Sequence, residues 1–312
     1  MSLRTDLKTL LRSEVKLSNY CTMQVGGTAR YFAEPSQEEE LLDLIEFSRH
    51  ENIPFFILGK GSNVIFPDEG YPGLVITLIH YELDRFRFDA HQCLLNASAG
   101  IHLYRLCLLC RDHGMGGAEF LANIPGTLGG ALFMNAGFSR FPGQKSEISD
   151  LTEEVTVLDT QGVKETLQRS QLQFTYRHSN LEGKIVLGGT LRLWRRRPEE
   201  IQKEIQANFA YRNDKQDLKH PSSGSIFKNP AALQDQTDGL KFRSAGEIIE
   251  GLGVKGMRLG GAAVSPKHGN YIINTGGAKS SDIIQLIRKV QHMVFDATGF
   301  FLEPEVRIIE KS

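Results

Sequence analysis

The chain has 312 residues, of which 40% are hydrophobic and 23% charged, with a formal net charge of -1. That length suits two or three domains, and the composition excludes a disordered, collagenous or coiled-coil protein. No basic excess exists to draw nucleic acid or an anionic membrane.

The N-terminal stretch MSLRTDLKTLLRSEVKL alternates charge with leucine and lacks an apolar signal core. No run approaches the ~18 apolar residues of a spanning helix. A cytoplasmic protein is expected. The four cysteines agree with that. Cys107 and Cys110 form a CxxC inside the apolar run LYRLCLLCRDHG, where buried thiols are expected rather than a metal site. No HExxH, EF-hand loop or Walker A motif occurs, and no metal is expected. Arg195–Arg197 reads as a solvated linker.

In chain order, EPSQEEELLDLIEFSRHENI predicts a helix opened by a capping box of Ser36 and Glu39. IPFFILG and GLVITLI follow as strands. CLLNASAG is a strand, and the cysteine run a helix. EEVTVLDTQGVKETLQ predicts a hairpin turning at Gln161-Gly162, and KIVLGGTLRLW another strand. PEEIQKEIQANFAYRNDK opens with a proline suited to a first helical turn. SAGEIIEGLG carries a second capping box, Ser244 and Glu247. GNYIINTG is a strand. SSDIIQLIRKVQHMVFDATG is an amphipathic helix with 283, 287, 290 and 294 on one face. FLEPEVRIIE closes as a strand. Hairpins without a simple βαβ repeat favour an α+β fold.

Three loops bear on chemistry. LGKGSN, Leu58 to Asn63, follows a strand directly. IPGTLGGALFMNAG, Ile124 to Gly137, belongs to a block in which five glycines (116, 117, 126, 129 and 130) precede Gly137. Small residues let consecutive backbone N–H groups curl around an anion, and a following helix adds its dipole. Neither loop matches the Rossmann or Walker A pattern. Each is a tight turn or a phosphate cradle, and the pair suggests a ligand with a long phosphate linkage, such as a dinucleotide. The third loop is HPSSGSIFKNP. Gly224 allows a close backbone approach, and Ser225 is either a turn residue or a proton donor.

VGGTARYFAEP, LGKGSN, NIPGTLGGALFMNAG, YRHS, PSSGSIFKNP, GGAAVSPKHGNYIIN and LEPEVRII run in one order from Val25 to Ile309. In that order they resemble the motifs of the UDP-N-acetylenolpyruvoylglucosamine reductase (MurB) family. The resemblance implies an FAD-binding unit of the vanillyl-alcohol-oxidase (PCMH) type plus a C-terminal α+β substrate domain. Residues 1–80 and 81–200 would be the two FAD-binding subdomains and 201–300 the substrate domain. Residues 301–312 would be a C-terminal strand carrying a catalytic glutamate. Only a short segment separates Pro230 from Ser244, which resembles the shorter, second type of the family.

The same resemblance implies non-covalent FAD, with NADPH as co-substrate and UDP-N-acetylglucosamine enolpyruvate as substrate, in peptidoglycan precursor synthesis. A monomer is expected, with neither nucleic acid nor membrane as partner. The flavin contacts would be Leu58, Gly59, Gly61, Ser62, Asn63, Ile124, Pro125, Gly126, Thr127, Gly130, Asn135 and Gly137. Ser225 matches the proton donor, Arg177 the catalytic arginine and Glu305 the catalytic glutamate. Tyr176, Arg212, Lys215, Gly224, Asn229, Lys255 and His268 would meet the substrate, whose diphosphate calls for cations along its path.

Two departures stand out. Cys21 replaces a more usual asparagine. Phe138-Ser139-Arg140 replaces Ala-Tyr-Gly, so the glycine at that place is missing. Alternatives are a flavin oxidase with the same FAD unit and another substrate, or a flavin-binding protein without activity. An oxidase has no carbanion to protonate, so Ser225, Arg177 and Glu305 together argue for the reductase.

Overall fold

The computed structural model describes residues 7–82, 85–138, 140, 146–230 and 244–310. Ser139 and the segment joining Pro230 to Ser244, on which two expectations fall, lie largely outside these. The chain gathers into two compact units. One comprises Met1–Glu14, Tyr31–Lys60 and Gly73–Arg212; the other comprises Val15–Arg30, Gly61–Pro72 and Asn213–Ser312.

Strands β1 (Arg12–Lys16), β2 (Thr28–Ala33), β3 (Phe55–Leu58) and β4 (Tyr71–Thr77), most of whose residues belong to the first unit, form a sheet in the order β1-β2-β4-β3. β3 and β4 run parallel, with Phe55 opposite Leu74 and Leu58 opposite Thr77. Helix α1 (Glu38–His50) precedes β3 and buries Leu41, Leu44 and Ile45. Glu38, Glu39 and Glu40 occupy its first turn and Arg49 and His50 its last, complementing the helix dipole. Its N-cap is Gln37, not Ser36. The Ser36 N–H and hydroxyl both donate to Glu40, at 2.6 and 3.0 Å, and no side chain caps the helix start, so the predicted capping box of Ser36 and Glu39 does not form.

Further strands of the first unit include β5 (Phe86–Asp89), β6 (Leu94–Ser98), β7 (Thr152–Leu158), β8 (Lys164–Gln168), the short hairpin of β9 (Phe174–Thr175) and β10 (His178–Ser179), and β11 (Ile185–Arg192). Five of them make an antiparallel sheet in the order β8-β7-β11-β6-β5. β11 is buried along all but its last residue, as a central strand must be. The β7–β8 turn forms where Gln161-Gly162 predicts it. The Asp159 carboxylate accepts the N–H groups of Gln161 and Val163 at 2.8 Å, and Gly162 supplies a φ of +84°. Helices α2 (Leu103–Asp112), α3 (Leu128–Met134) and α4 (Pro198–Lys215) complete this part. Cys107 and Cys110 on α2 are buried, and the Cys107 thiol donates to the Ala118 carbonyl at 3.0 Å.

The second unit has a sheet of β12 (Ser222–Ser225), β13 (Arg258–Leu259), β14 (Ala262–Val264) and β15 (Tyr271–Asn274), in the order β12-β15-β14-β13 and antiparallel. Helix α5 (Ala245–Gly251) starts at Ser244, whose hydroxyl accepts the Glu247 N–H at 3.2 Å as its capping box requires. Helix α6 (Ser280–Thr298) buries Ile283, Ile287, Val290 and Val294, the predicted face, together with Leu286. The Asp68 carboxylate caps α6 by accepting from the Ser280 and Ser281 N–H groups. The C-terminal stretch is a strand only at Arg307–Ile308, which pairs in parallel with Val64–Ile65. Before it, Pro304, which has no N–H to donate, makes only a single bridge with Phe227. The architecture is α+β.

Ile287 is 0% exposed within the α6 core. Ile287→Ala is expected to cost about 2–5 kcal/mol, read as a lower urea midpoint at unchanged slope.

Candidate active site

The second unit assembles around Ile226. β12 pairs with β15 through Ser222 opposite Ile273 and Ser225 opposite Tyr271, with a register shift between. Gly224, at φ +74°, takes up that bulge. Beyond Ser225 the backbone is gripped on both sides. Ile226 donates its N–H to the Asn270 carbonyl at 2.9 Å and accepts the Glu305 N–H at 2.7 Å. The Asn270 side chain binds Phe227 in both directions, accepting its N–H at 2.9 Å and donating to its carbonyl at 2.8 Å. Lys228 donates its N–H to the Glu303 carbonyl at 2.9 Å and places its ammonium 2.6 Å from the Glu303 carboxylate. Ser225 and Glu305 therefore lie on adjoining stretches of backbone, both half-buried.

Asn63 fixes the other side of Glu305. Its side-chain amide donates to the Glu305 carbonyl at 3.0 Å, and its own carbonyl accepts from Arg307 at 3.0 Å. Thr22 ties two of the loops together. Its N–H donates to the Gly61 carbonyl at 3.0 Å and its hydroxyl to the Ser222 carbonyl at 2.7 Å. Cys21, the unusual residue before it, is buried, and burial pushes its thiol up to about 12, leaving it unreactive.

Lys255 and His268 join the same unit through Glu250. The Glu250 carboxylate accepts from Lys255 at 2.9 Å and from the Gly269 N–H at 3.0 Å. The His268 Nδ1 accepts the Asn270 N–H at 3.1 Å, so the neutral ring carries its proton on Nε2. Burial lowers the His268 pKa below the usual 6.5, opposed by Glu250 and reinforced by Lys255. Lys215 is exposed, 3.0 Å from Asp214. The Asn229 carbonyl oxygen accepts the Ala245 N–H at 2.9 Å, at the start of α5.

The first unit holds Arg177 and the second glycine-rich loop. Arg177 stands in the two-residue turn between β9 and β10 at φ +58°, a left-handed conformation that disfavours a side chain. Its guanidinium donates to the Gly137 carbonyl at 3.0 Å and lies 4.9 Å from the centre of the Tyr176 ring. Arg212, at the far end of α4, donates to the Asn123 carbonyl next to Ile124 and Pro125. Thr127 caps α3, accepting the Gly130 N–H, and the Gly126 carbonyl accepts from Leu103 at 3.1 Å. A Cβ on Gly59 would stand 3.0 Å from the Thr127 hydroxyl, so the LGKGSN loop passes close to the start of α3. Among the described residues, the N–H groups of residues 59–63 have no backbone partner. That leaves a run of donors suited to an anionic linkage. The departure after Gly137 is anchored: Phe138 packs edge-on against Tyr211 and Arg140 pairs with Glu204 at 2.8 Å, both on α4.

Asn270, Glu250 and Thr22 did not stand out in the sequence. Asn270 lies inside the GNYIIN motif, a usable signal. The others act through partners remote in sequence.

Comparison with known proteins places the chain in a family. Residues 216–309 match the family model described as the C-terminal domain of UDP-N-acetylenolpyruvoylglucosamine reductase, and residues 29–167 match an FAD binding domain. The UDP-N-acetylenolpyruvoylglucosamine reductase of Parasynechococcus marenigrum (strain WH8102) is 37% identical over 301 residues, 95% of each chain. That of Syntrophus aciditrophicus (strain SB) is 38% identical over 296 residues, 94% of this chain and 90% of the relative. The crystal structure of the Thermus caldophilus reductase superposes with a TM-score of 0.78 at 32% identity, covering 96% of this chain and all of that one. Among the described residues no helix is long and apolar enough to cross a membrane.

His268 also sets a pH dependence. Its folded pKa lies below the unfolded 6.5, so between the two values the unfolded chain binds the extra proton. The stability tied to neutral His268 is fully present above 6.5 and is lost as pH falls through the folded value. His268→Asn, which can still accept the Asn270 N–H, is expected to flatten the fall in urea midpoint just below that pH. An unchanged slope would contradict the assignment.

Proposed function

We propose, because this chain belongs to the UDP-N-acetylenolpyruvoylglucosamine reductase family, that it reduces the enolpyruvyl ether of UDP-N-acetylglucosamine enolpyruvate to the lactyl ether of UDP-N-acetylmuramate. The observation that carries this reading is the backbone pairing of Glu305 with Ile226, the residue after Ser225, which runs the two chain segments alongside each other. The reaction calls for a hydroxyl and a carboxyl, one from each.

FAD suits this chain, whose residues 29–167 match an FAD binding domain. The free N–H run of residues 59–63 and the small residues Gly59, Gly61 and Ser62 suit its diphosphate. Leu58, Asn63, Ile124, Pro125, Gly126, Thr127, Gly130, Asn135 and Gly137 complete the candidate contacts, with Asn135 contributing main chain because its amide is engaged by protein groups. When bound, FAD supplies the hydride, drawn from NADPH.

Addition of hydride to the terminal carbon breaks the π bond and leaves an electron pair on the neighbouring carbon, shared with the substrate carboxylate. The permanently charged guanidinium of Arg177 binds that carboxylate through parallel hydrogen bonds, which strengthen as its charge grows. Glu305 serves the same developing charge, where a protonated carboxyl can donate a hydrogen bond and an ionised one would repel. Ser225 gives its hydroxyl proton to the carbanion, forming the second C–H bond, and regains a proton from solvent. A serine hydroxyl is a weak acid, so it works only against a strong base held in contact. Lys215, with Arg212, Tyr176, Asn229, Lys255 and His268, serves the uridine diphosphate part, where exposed Lys215 exchanges Asp214 for phosphate. The proposal includes a cytoplasmic monomer.

The test is anaerobic flavin absorbance during addition of NADPH and then substrate. Bleaching followed by recovery supports the reductase. Bleaching without recovery moves the substrate into question, and a purified protein without flavin contradicts the reading. Ser225→Ala is expected to bleach normally but to slow recovery by about 10²–10⁴-fold; unchanged recovery removes serine from the mechanism. Lys215→Ala is expected to raise the substrate KM with little change in kcat. A loss confined to kcat would contradict a binding role.

A further inference from the structure

Arg177 is the residue in the proposed mechanism whose direction matters most, because a guanidinium recognises a carboxylate in one plane. It stands on a two-residue turn in a conformation that costs roughly 1–2 kcal/mol for a residue with a Cβ. Such a side chain needs outside support to hold one orientation. Among the described residues, Glu147 is an acidic group close to it. Its Oε1 lies 3.7 Å from Arg177 Nη1, and the two side chains are only 18% and 21% exposed.

Glu147 is itself fixed. Its Oε2 accepts the Asn135 side-chain N–H at 2.9 Å. It also accepts the Asp150 N–H in a reciprocal capping box, while the Asp150 carboxylate accepts the Glu147 N–H at 2.8 Å. Asn135 is 1% exposed and terminates α3 in a left-handed conformation at φ +45°. Its amide nitrogen also donates to the Thr175 carbonyl at 2.9 Å, and its amide oxygen accepts the Ser149 N–H at 3.2 Å. The Ser179 hydroxyl donates to the Phe133 carbonyl at 2.6 Å. The β9–β10 hairpin is thus bonded on both strands to the end of α3, and α3 begins at the Thr127 loop.

We propose that Glu147, held by Asn135, is a positioning residue for Arg177: its charge keeps the guanidinium beside the Gly137 and Asn135 carbonyls that accept from it, and ties it to the helix that opens at the flavin loop. This rests on the reading of Arg177 as the group that binds the substrate carboxylate. A carboxylate at 3.7 Å is beyond a direct hydrogen bond, so it holds the cation mainly by charge without a locked bidentate pair. That suits a residue whose cation must be aimed and still engage a second carboxylate. Burial of both groups makes the attraction stronger than that of a surface pair.

The inference is tested with the flavin-loaded protein and its substrate in a double-mutant cycle of Glu147→Ala and Arg177→Ala. The readouts are the saturating rate of substrate-driven flavin recovery, the rate of bleaching by NADPH, and Tm. Glu147→Ala alone is expected to slow recovery about 10- to 100-fold, the usual cost of a displaced catalytic group, and to leave bleaching unchanged. In the Arg177→Ala background it is expected to add less than about twofold, because it acts through the missing guanidinium. A full additive loss in that background, or no loss in the wild type, overturns the inference. If Arg177→Ala itself leaves recovery intact, the reading of Arg177 fails first, and the two failures are told apart. Glu147→Gln keeps an acceptor for the Asp150 N–H and removes the charge. It carries the same cycle should the alanine variant lower Tm by more than a few degrees.

Discussion

The hydrogen bond from the Glu305 N–H to the Ile226 carbonyl, 2.7 Å long, is the constraint on which the candidate chemistry of the second unit depends. It joins a loop near residue 225 to a tail near residue 305. Neither segment is a regular strand at that point, so no long ladder supports the pairing. Asn270 supplies the missing order. Its carbonyl takes the Ile226 N–H, and its side chain satisfies both polar groups of Phe227 as a neighbouring strand would. A buried side-chain amide that replaces a strand leaves the adjoining residue, Ser225, free of the ladder's regular alternation. Gly224 then absorbs the register shift at φ +74°.

The same logic of local departure holds at Arg177. Regular structure gives rigidity but fixes where side chains point. A site that must present one guanidinium does so from a turn, and the turn is stabilised from outside by Asn135, Glu147 and Gly137. Of the three proposed catalytic residues, Ser225 follows and Arg177 occupies left-handed backbone, and the segments beside both are held by asparagines, Asn270 and Asn135, that substitute for secondary structure. Asparagine is suited to that task because one planar group offers a donor and an acceptor in the geometry of a peptide.

The sequence exposed the regular part of this design well. The 283-287-290-294 face of α6, the turn at Gln161-Gly162 and the proline start of α4 each follow from a local rule, and each stands as expected. The spacing of Ser36 and Glu39 predicts a capping box, but the helix starts one residue later, at Glu38, so Ser36 lies before the cap and donates to Glu40 instead of capping. FLEPEVRIIE reads as a strand by its β-branched residues, yet Pro304 limits what it can pair. Membership of segments 15–30 and 61–72 in the second unit had no local signal, since it depends on partners some two hundred residues away, as in the bond from Thr22 to Ser222.

The candidate site divides along the same line. Residues that carry the chemistry were legible because their neighbours in sequence form recognisable motifs. Residues that aim them were not. Glu147 lies among ordinary polar residues, and nothing near it announces an arginine thirty positions later. Glu250 sits on a short helix as one acid of two, and only the fold brings it to Lys255 and the Gly269 N–H. A side chain that reacts must keep its type, so its motif is narrow. A side chain that supports needs only charge and reach at one point in space, which many sequences can supply.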